Sequence, residues 1–96
     1  MEDTDTIVDA YVLRLYITGA TPNSAKAVSN IKTICNQYLQ DRYDLKIIDV
    51  YQEPEVAKRE QVIAIPMLVK LSPLPVKRLI GNLSDIEKVL KGLDIR

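Results

Sequence analysis

The stretch "YITGATPNSAKA", Tyr16 to Ala27, runs from an apolar, strand-like segment through Gly19 and Pro22 into a helical one. Gly19 and Ala20 make the break. Thr21 is placed to accept a hydrogen bond from a free amide of the first helical turn, and Pro22 suits the first helical position, where a missing N–H costs nothing. Small α/β proteins often keep a reactive group at such a junction, yet this one holds neither cysteine nor histidine.

Upstream, "YVLRLYIT", Tyr11 to Thr18, is apolar except for Arg14, the pattern of a central strand covered on both faces. Downstream, Val28, Ile31, Cys35, Tyr38 and Leu39 recur at three- and four-residue steps, with Ala27 and Ile34 widening the stripe. The spacing predicts a helix that packs one face on a sheet and ends near Asp41. "LKIIDVY", Leu45 to Tyr51, is rich in β-branched residues and closes a βαβ unit, because the helix has the length a crossover needs.

The second half is built from shorter signals. In "QEPEVAKREQVIAI", Pro54 and Glu55 suit a helix start, and Val56, Ala57 and Ile63 give a weaker apolar face. "IPMLVKL", Ile65 to Leu71, is a strand opening on Pro66, and "SPLP", Ser72 to Pro75, is turn chemistry before "VKRLI", so the pair reads as a hairpin. In "LSDIEKVLKGL", Ser84 and Glu87 have capping-box spacing, with Ile86, Val89, Leu90 and Leu93 as the buried face. Residues 1–10, polar and charged apart from Ile7, Val8 and Ala10, read as a flexible leader, and 11–96 as one domain. The element order, βαβαββα, is the thioredoxin-like arrangement of an α/β protein.

Composition narrows the function. Thirteen basic and thirteen acidic residues give zero formal charge, which offers no global pull toward nucleic acid or an anionic membrane. No apolar run approaches the roughly 18 residues of a membrane span, and the acidic "MEDTDTIVDA" lacks a signal peptide's basic and apolar regions, so a cytoplasmic protein is expected. A lone cysteine excludes an internal disulfide, and the lack of histidine removes the commonest metal ligand and neutral-pH base.

Thioredoxin-like oxidoreductases place C-x-x-C between the first strand and helix, where the helix N-terminus lowers the leading thiol's pKa. Here Thr21 and Ser24 keep that spacing, and hydroxyls cannot carry out thiol exchange. They are read as helix caps; the competing reading is a glutathione-binding site in which Ser24 steadies a thiolate. Cys35, on the apolar stripe, is read as a buried thiol rather than a reactive one. Pro66 fits either a cis or a trans peptide on pattern alone. Alternation sends Lys77 and Arg78 to opposite faces, either as solvated surface or as partner contacts.

The segments "YVLRLYITGATPNSAKAV", "LKIIDVYQEPEVA" and "AIPMLVKLSPLPVKRLIGNLSDIEKVLKGLD" together resemble the KaiB family of circadian-clock proteins. The diagnostic parts are "G-x-TPNS" at Gly19 to Ser24, "PLPVKRLIG" with the following "LSD", and "KGLD" at Lys91 to Asp94. The resemblance implies a non-catalytic regulator without cofactor that binds a KaiC-like hexameric ATPase, in a circadian or a stress-response system. A KaiA-like protein is a further implied partner. The matched basic pair, Lys77 and Arg78, together with Lys58 and Arg59 from the second helix, are the candidate partner contacts. Two alternatives are a KaiB-like sensory domain of a clock-output histidine kinase and a glutathione-using enzyme.

The resemblance also implies fold switching between a tetrameric or dimeric ground state of βαββααβ order and a thioredoxin-like monomer. The mixed helix and strand character of "VKRLIG" and "LKGLDIR" agrees with this. Gly92 and Asp94 are the candidate switch residues. Gly92→Ala, alone or with Asp94→Arg, is expected to favour the thioredoxin-like state by extending the last helix and removing an anion from its C-terminal end. Family members commonly continue past "GLD" into an acidic tail, whereas the sequence here stops at Arg96, leaving little chain for the ground state's last strand.

Overall fold

The structure is a computed structural model that describes residues 10–62 and 64–95. Apart from Ala10, the leader expected over residues 1–10 lies outside the described residues, as does Ile63 of the second helix's apolar face. The elements are β1 (Tyr11–Ile17), α1 (Pro22–Tyr38), β2 (Tyr43–Asp49), α2 (Pro54–Arg59), β3 (Met67–Ser72), β4 (Lys77–Ile80) and α3 (Ile86–Gly92). This is the expected βαβαββα order, not βαββααβ.

The strands form one sheet in the order β2-β1-β3-β4. The crossover through α1 sets β2 parallel to β1, while β3 runs antiparallel to both β1 and β4. The register slips between Val12 and Leu13, where β3 carries an extra residue. Such a bulge strengthens the local twist.

One face of the sheet carries the main core. Leu13 and Leu15 of β1 and Leu68 of β3 meet Ala27, Ile31, Ile34 and Cys35 of α1, with Val89 and Leu93 closing the far side. Each large aliphatic side chain withdrawn there contributes about 1.5–3 kcal/mol. The other face holds a smaller cluster of Tyr16, Met67 and Val69, covered at one end by Val56 and Val62. Cover on both faces of β1 is therefore partial. α2 is only six residues long and buries none of them, so Arg14 and its neighbours are left beside an open groove.

The helix faces differ from the periodic reading in two places. Tyr38 and Ile86 are exposed. In Tyr38's place Leu39, the C-cap of α1, is buried in the core.

Candidate functional site

The β1–α1 junction is held by two hydroxyls with different tasks. Thr21 is the N-cap, and its Oγ1 accepts from the Ser24 amide at 3.2 Å, with Pro22 following at the first helical position. Ser24 is not a cap, contrary to the expectation. It is fully buried, and its Oγ accepts from the Thr18 amide at 3.2 Å, binding the helix back to the end of β1. A hydroxyl so engaged is not presented to a bound thiolate. Gly19 has φ +54°, the left-handed turn that a residue without Cβ makes cheaply.

Cys35 packs in the core, and burial pushes its thiol up from 9.0 to about 11. At neutral pH it is protonated and inert. Pro66 is buried and preceded by a cis peptide. Its carbonyl accepts from the Gly81 amide at 2.9 Å, and β3 begins two residues later than the expected Ile65, at Met67.

The capping box at Ser84 and Glu87 is corrected. The N-cap of α3 is Asp85, whose Oδ1 accepts from the Lys88 amide at 3.2 Å. Ser84 lies one residue earlier, its amide donating to Asn82 Oδ1 at 3.1 Å. That shift places Glu87 second in the helix, in the first turn. It complements the dipole there but does not reach back as a box partner.

The partner-contact candidates separate in space. Arg78 and Arg59 both lie near the phenol of Tyr16, as does Arg14. Lys77 faces the helix-covered side by alternation, and Lys58 is exposed on α2. Register explains the clustering: Lys46 pairs with Arg14, Arg14 with Val69, and Val69 with Arg78. A single line across all four strands thus carries three cations. The groove beside it, about 520 Å³, is lined by Arg14 and Lys46 with Arg59, Glu53 and Glu60, whereas Arg78 lines a separate cleft with Gly81 and Asp85. Burial, then the Glu60 carboxylate, raises the Tyr16 pKa above 10.0, while Arg14, Arg59 and Arg78 act in the opposite sense. Sequence reasoning missed Arg14 and Lys46, because each looks like an isolated charge until the register is known.

The chain's far end holds a second constellation. Asp94 follows α3 with φ +58°, the Asp94 amide donates to Lys91 O and the Ile95 amide to Leu90 O, which is a Schellman C-cap. Lys70, only 1% exposed, extends its ammonium to within 3.5 Å of Asp94 Oδ2 and lies 6.0 Å from the Tyr11 ring centre. The Tyr11 hydroxyl donates to Asp94 O at 3.2 Å. Asp94 is therefore more than an anion at a helix end, because it compensates a buried cation. Gly92 is the last residue of α3, and a Cβ there would meet Leu79 Cδ2 at 2.5 Å. Among the described residues no cluster of His, Cys, Asp or Glu is arranged to hold a metal, and no helix is long and apolar enough to cross a membrane.

A family model described as the KaiB domain matches residues 14–95. The circadian clock oscillator protein KaiB of Gloeothece citriformis is 48% identical over 91 residues, which are 95% of this chain and 86% of that one. Its namesake in Synechococcus elongatus is 49% identical over 85 residues, covering 88% and 83%. Among solved structures, the N-terminal domain of Synechococcus elongatus SasA superposes with a TM-score of 0.71 at 23% identity, over 90% of this chain and 85% of that one. A Fasciola hepatica thioredoxin gives 0.72 at 13% identity, over 94% and 84%. At such identities the likeness is one of fold.

Proposed function

The chain belongs to the KaiB family, and from that membership we propose that it is a cytoplasmic, non-catalytic regulator that docks on a KaiC-like hexameric ATPase and modulates its phosphorylation or signalling state. The observation that carries the reading is the KaiB domain match over residues 14–95. Two features of the molecule support it. The junction that serves redox chemistry in thioredoxins is here occupied by a cap and a buried hydroxyl. Three cations, Lys46, Arg14 and Arg78, instead share one line of the open sheet face.

In this reading Arg59 and Arg78 are the contacts that matter most, with Lys58 and Lys77 at the rim. Pull-down with a KaiC-type ATPase under ATP and under ADP, coupled to a molecular-mass measurement, tests it. Nucleotide-dependent capture supports the proposal, and no capture in either state ends it. Charge reversal by Arg59→Glu or Arg78→Glu is expected to weaken capture and flatten its salt dependence. Whether the output is daily timing or stress response follows from the partner found, a KaiA-like protein pointing to the first.

Fold switching belongs to the same proposal. The thioredoxin-like arrangement described above is the binding-competent state, in exchange with an oligomeric βαββααβ ground state, tetrameric or dimeric. Gly92 and Asp94 lie where that exchange is decided. A second reading, the sensory domain of a histidine kinase, is supported by the fold shared with the SasA domain. The length of the full open reading frame separates the two.

A further inference from the structure

The three cations aligned across the sheet are an arrangement that an isolated chain does not favour, because neighbouring strands lie about 4.8 Å apart and like charges placed opposite one another repel. Arg14 folds its guanidinium back to donate to Leu13 O at 2.9 Å. Of the two carboxylates lining the groove, Glu60 lies 3.8 Å from Arg59. The next line of the sheet contains Tyr16, flanked by Ile48 and Met67. Tyr16 is 3% exposed, and its hydroxyl has no hydrogen-bond partner among the described residues, whereas those of Tyr11 and Tyr43 donate to Asp94 O and Asn36 Oδ1. Among the described residues this buried phenol has no acceptor, and Arg14 and Arg78 make no ion pair, so an added carboxylate would satisfy both needs.

We propose that this groove is the docking site for an acidic segment of the protein partner, in which a Glu or Asp carboxylate accepts the Tyr16 hydroxyl hydrogen bond and pairs with Arg14, and a further acidic residue of the segment reaches Arg78, which lies outside the groove on the same line of the sheet. The inference deepens the reading above and rests on it. A peptide fits better than a free inorganic anion because the groove holds about 520 Å³ and its walls include Ile47 and Leu71, each 37% exposed. Apolar residues flanking the carboxylate cover those walls, which a bare phosphate would leave open to water. Lys46 and Arg59 stand at the two sides and set the register of further acidic residues.

The test is fluorescence anisotropy of a labelled, capped peptide, Leu-Glu-Asp-Leu-Glu-Val, against its Gln/Asn counterpart at low and physiological salt. Saturable binding of the acidic peptide is expected, weakened at least about tenfold in the amide peptide, about tenfold in Arg14→Gln or Arg78→Gln, and about threefold or more in Tyr16→Phe. Tyr16→Phe removes one oxygen and leaves the packing, and circular dichroism and the thermal midpoint check that each variant is folded. Equal binding of the two peptides, or full affinity in folded Tyr16→Phe, overturns the proposal. So does saturable binding of inorganic phosphate without peptide binding, which would assign the groove to a small ion. ATPase capture that survives in Tyr16→Phe and Arg14→Gln ends this inference and leaves the proposed function standing. Peptide binding without ATPase capture does the reverse.

Discussion

Cys35 and Ser24 both lie in the interior, and their chemistry follows from what surrounds them. The Cys35 thiol titrates near 9.0 when exposed and at about 11 in the folded chain, so the folded state keeps a proton that the unfolded state loses. Its contribution to stability is complete below pH 9 and falls as pH rises from about 9 to about 11, with a slope approaching about 1.4 kcal/mol per pH unit. Urea titrations of the native chain and Cys35→Ala at several pH values check this: the difference between them should shrink across that window and stay flat below it. Ser24→Ala removes the fully buried acceptor of the Thr18 amide, and a loss of about 1–3 kcal/mol is expected in the same titration. Thr21→Ala should cost about 1 kcal/mol as a lost cap. The cap at Thr21 was legible because its geometry is local. The role of Ser24 was not, because its partner Thr18, six residues earlier and just past the end of β1, comes near only once the helix has folded back.

At the level of elements, most boundaries follow from periodicity and turn chemistry, and the misplaced ones lie where two residues compete for one task. "LSDIE" offers Ser84 and Asp85 as caps for α3. The Ser84 amide is taken by Asn82 and Leu83 has φ +63°, so the chain enters the helix at Asp85. The other end of α3 carries two predictions. Gly92→Ala gains about 1 kcal/mol of helix propensity, offset in part because Leu79 must turn aside from the new methyl. Since the atom in the way is the end of a flexible side chain, the net effect under the proposed fold switching should favour the thioredoxin-like state, read by NMR as a change in the relative peak intensities of the two proposed folds. Unchanged populations together with unchanged binding of a KaiC-type ATPase would end the assignment of Gly92 to the proposed switch. Asp94→Asn keeps a residue that tolerates positive φ but leaves the Lys70 ammonium without its counter-charge. The expected loss is about 1–2 kcal/mol, below that of a fully buried pair, because the Asp94 side chain is 51% exposed. A denaturation midpoint equal to that of the native chain would remove the ion pair from the account.

For the whole molecule, zero formal charge conceals an uneven distribution. Lys46, Arg14 and Arg78 share one line of the sheet, so partner association should slow with salt as it does for a basic protein, although composition alone argues against electrostatic attraction. Stopped-flow association with the proposed KaiC-like ATPase from 20 to 500 mM salt is expected to show about a tenfold fall in on-rate; an on-rate independent of salt would exclude steering by this face. Composition could not reveal this, since periodicity assigns a side chain to a face but not to a neighbour, and register appears only when the strand order β2-β1-β3-β4 is known. The same limit hid Lys70, which looks like a surface charge within an apolar strand and is in fact withdrawn beside Tyr11 and Asp94. Because a buried ammonium without its carboxylate is costly, while an apolar residue at position 70 would release position 94 from any charge requirement, the two sites behave as one heritable character. Among homologues that share this arrangement, lysine at 70 should be inherited with an acidic residue at 94, and lineages that lose one should lose the other.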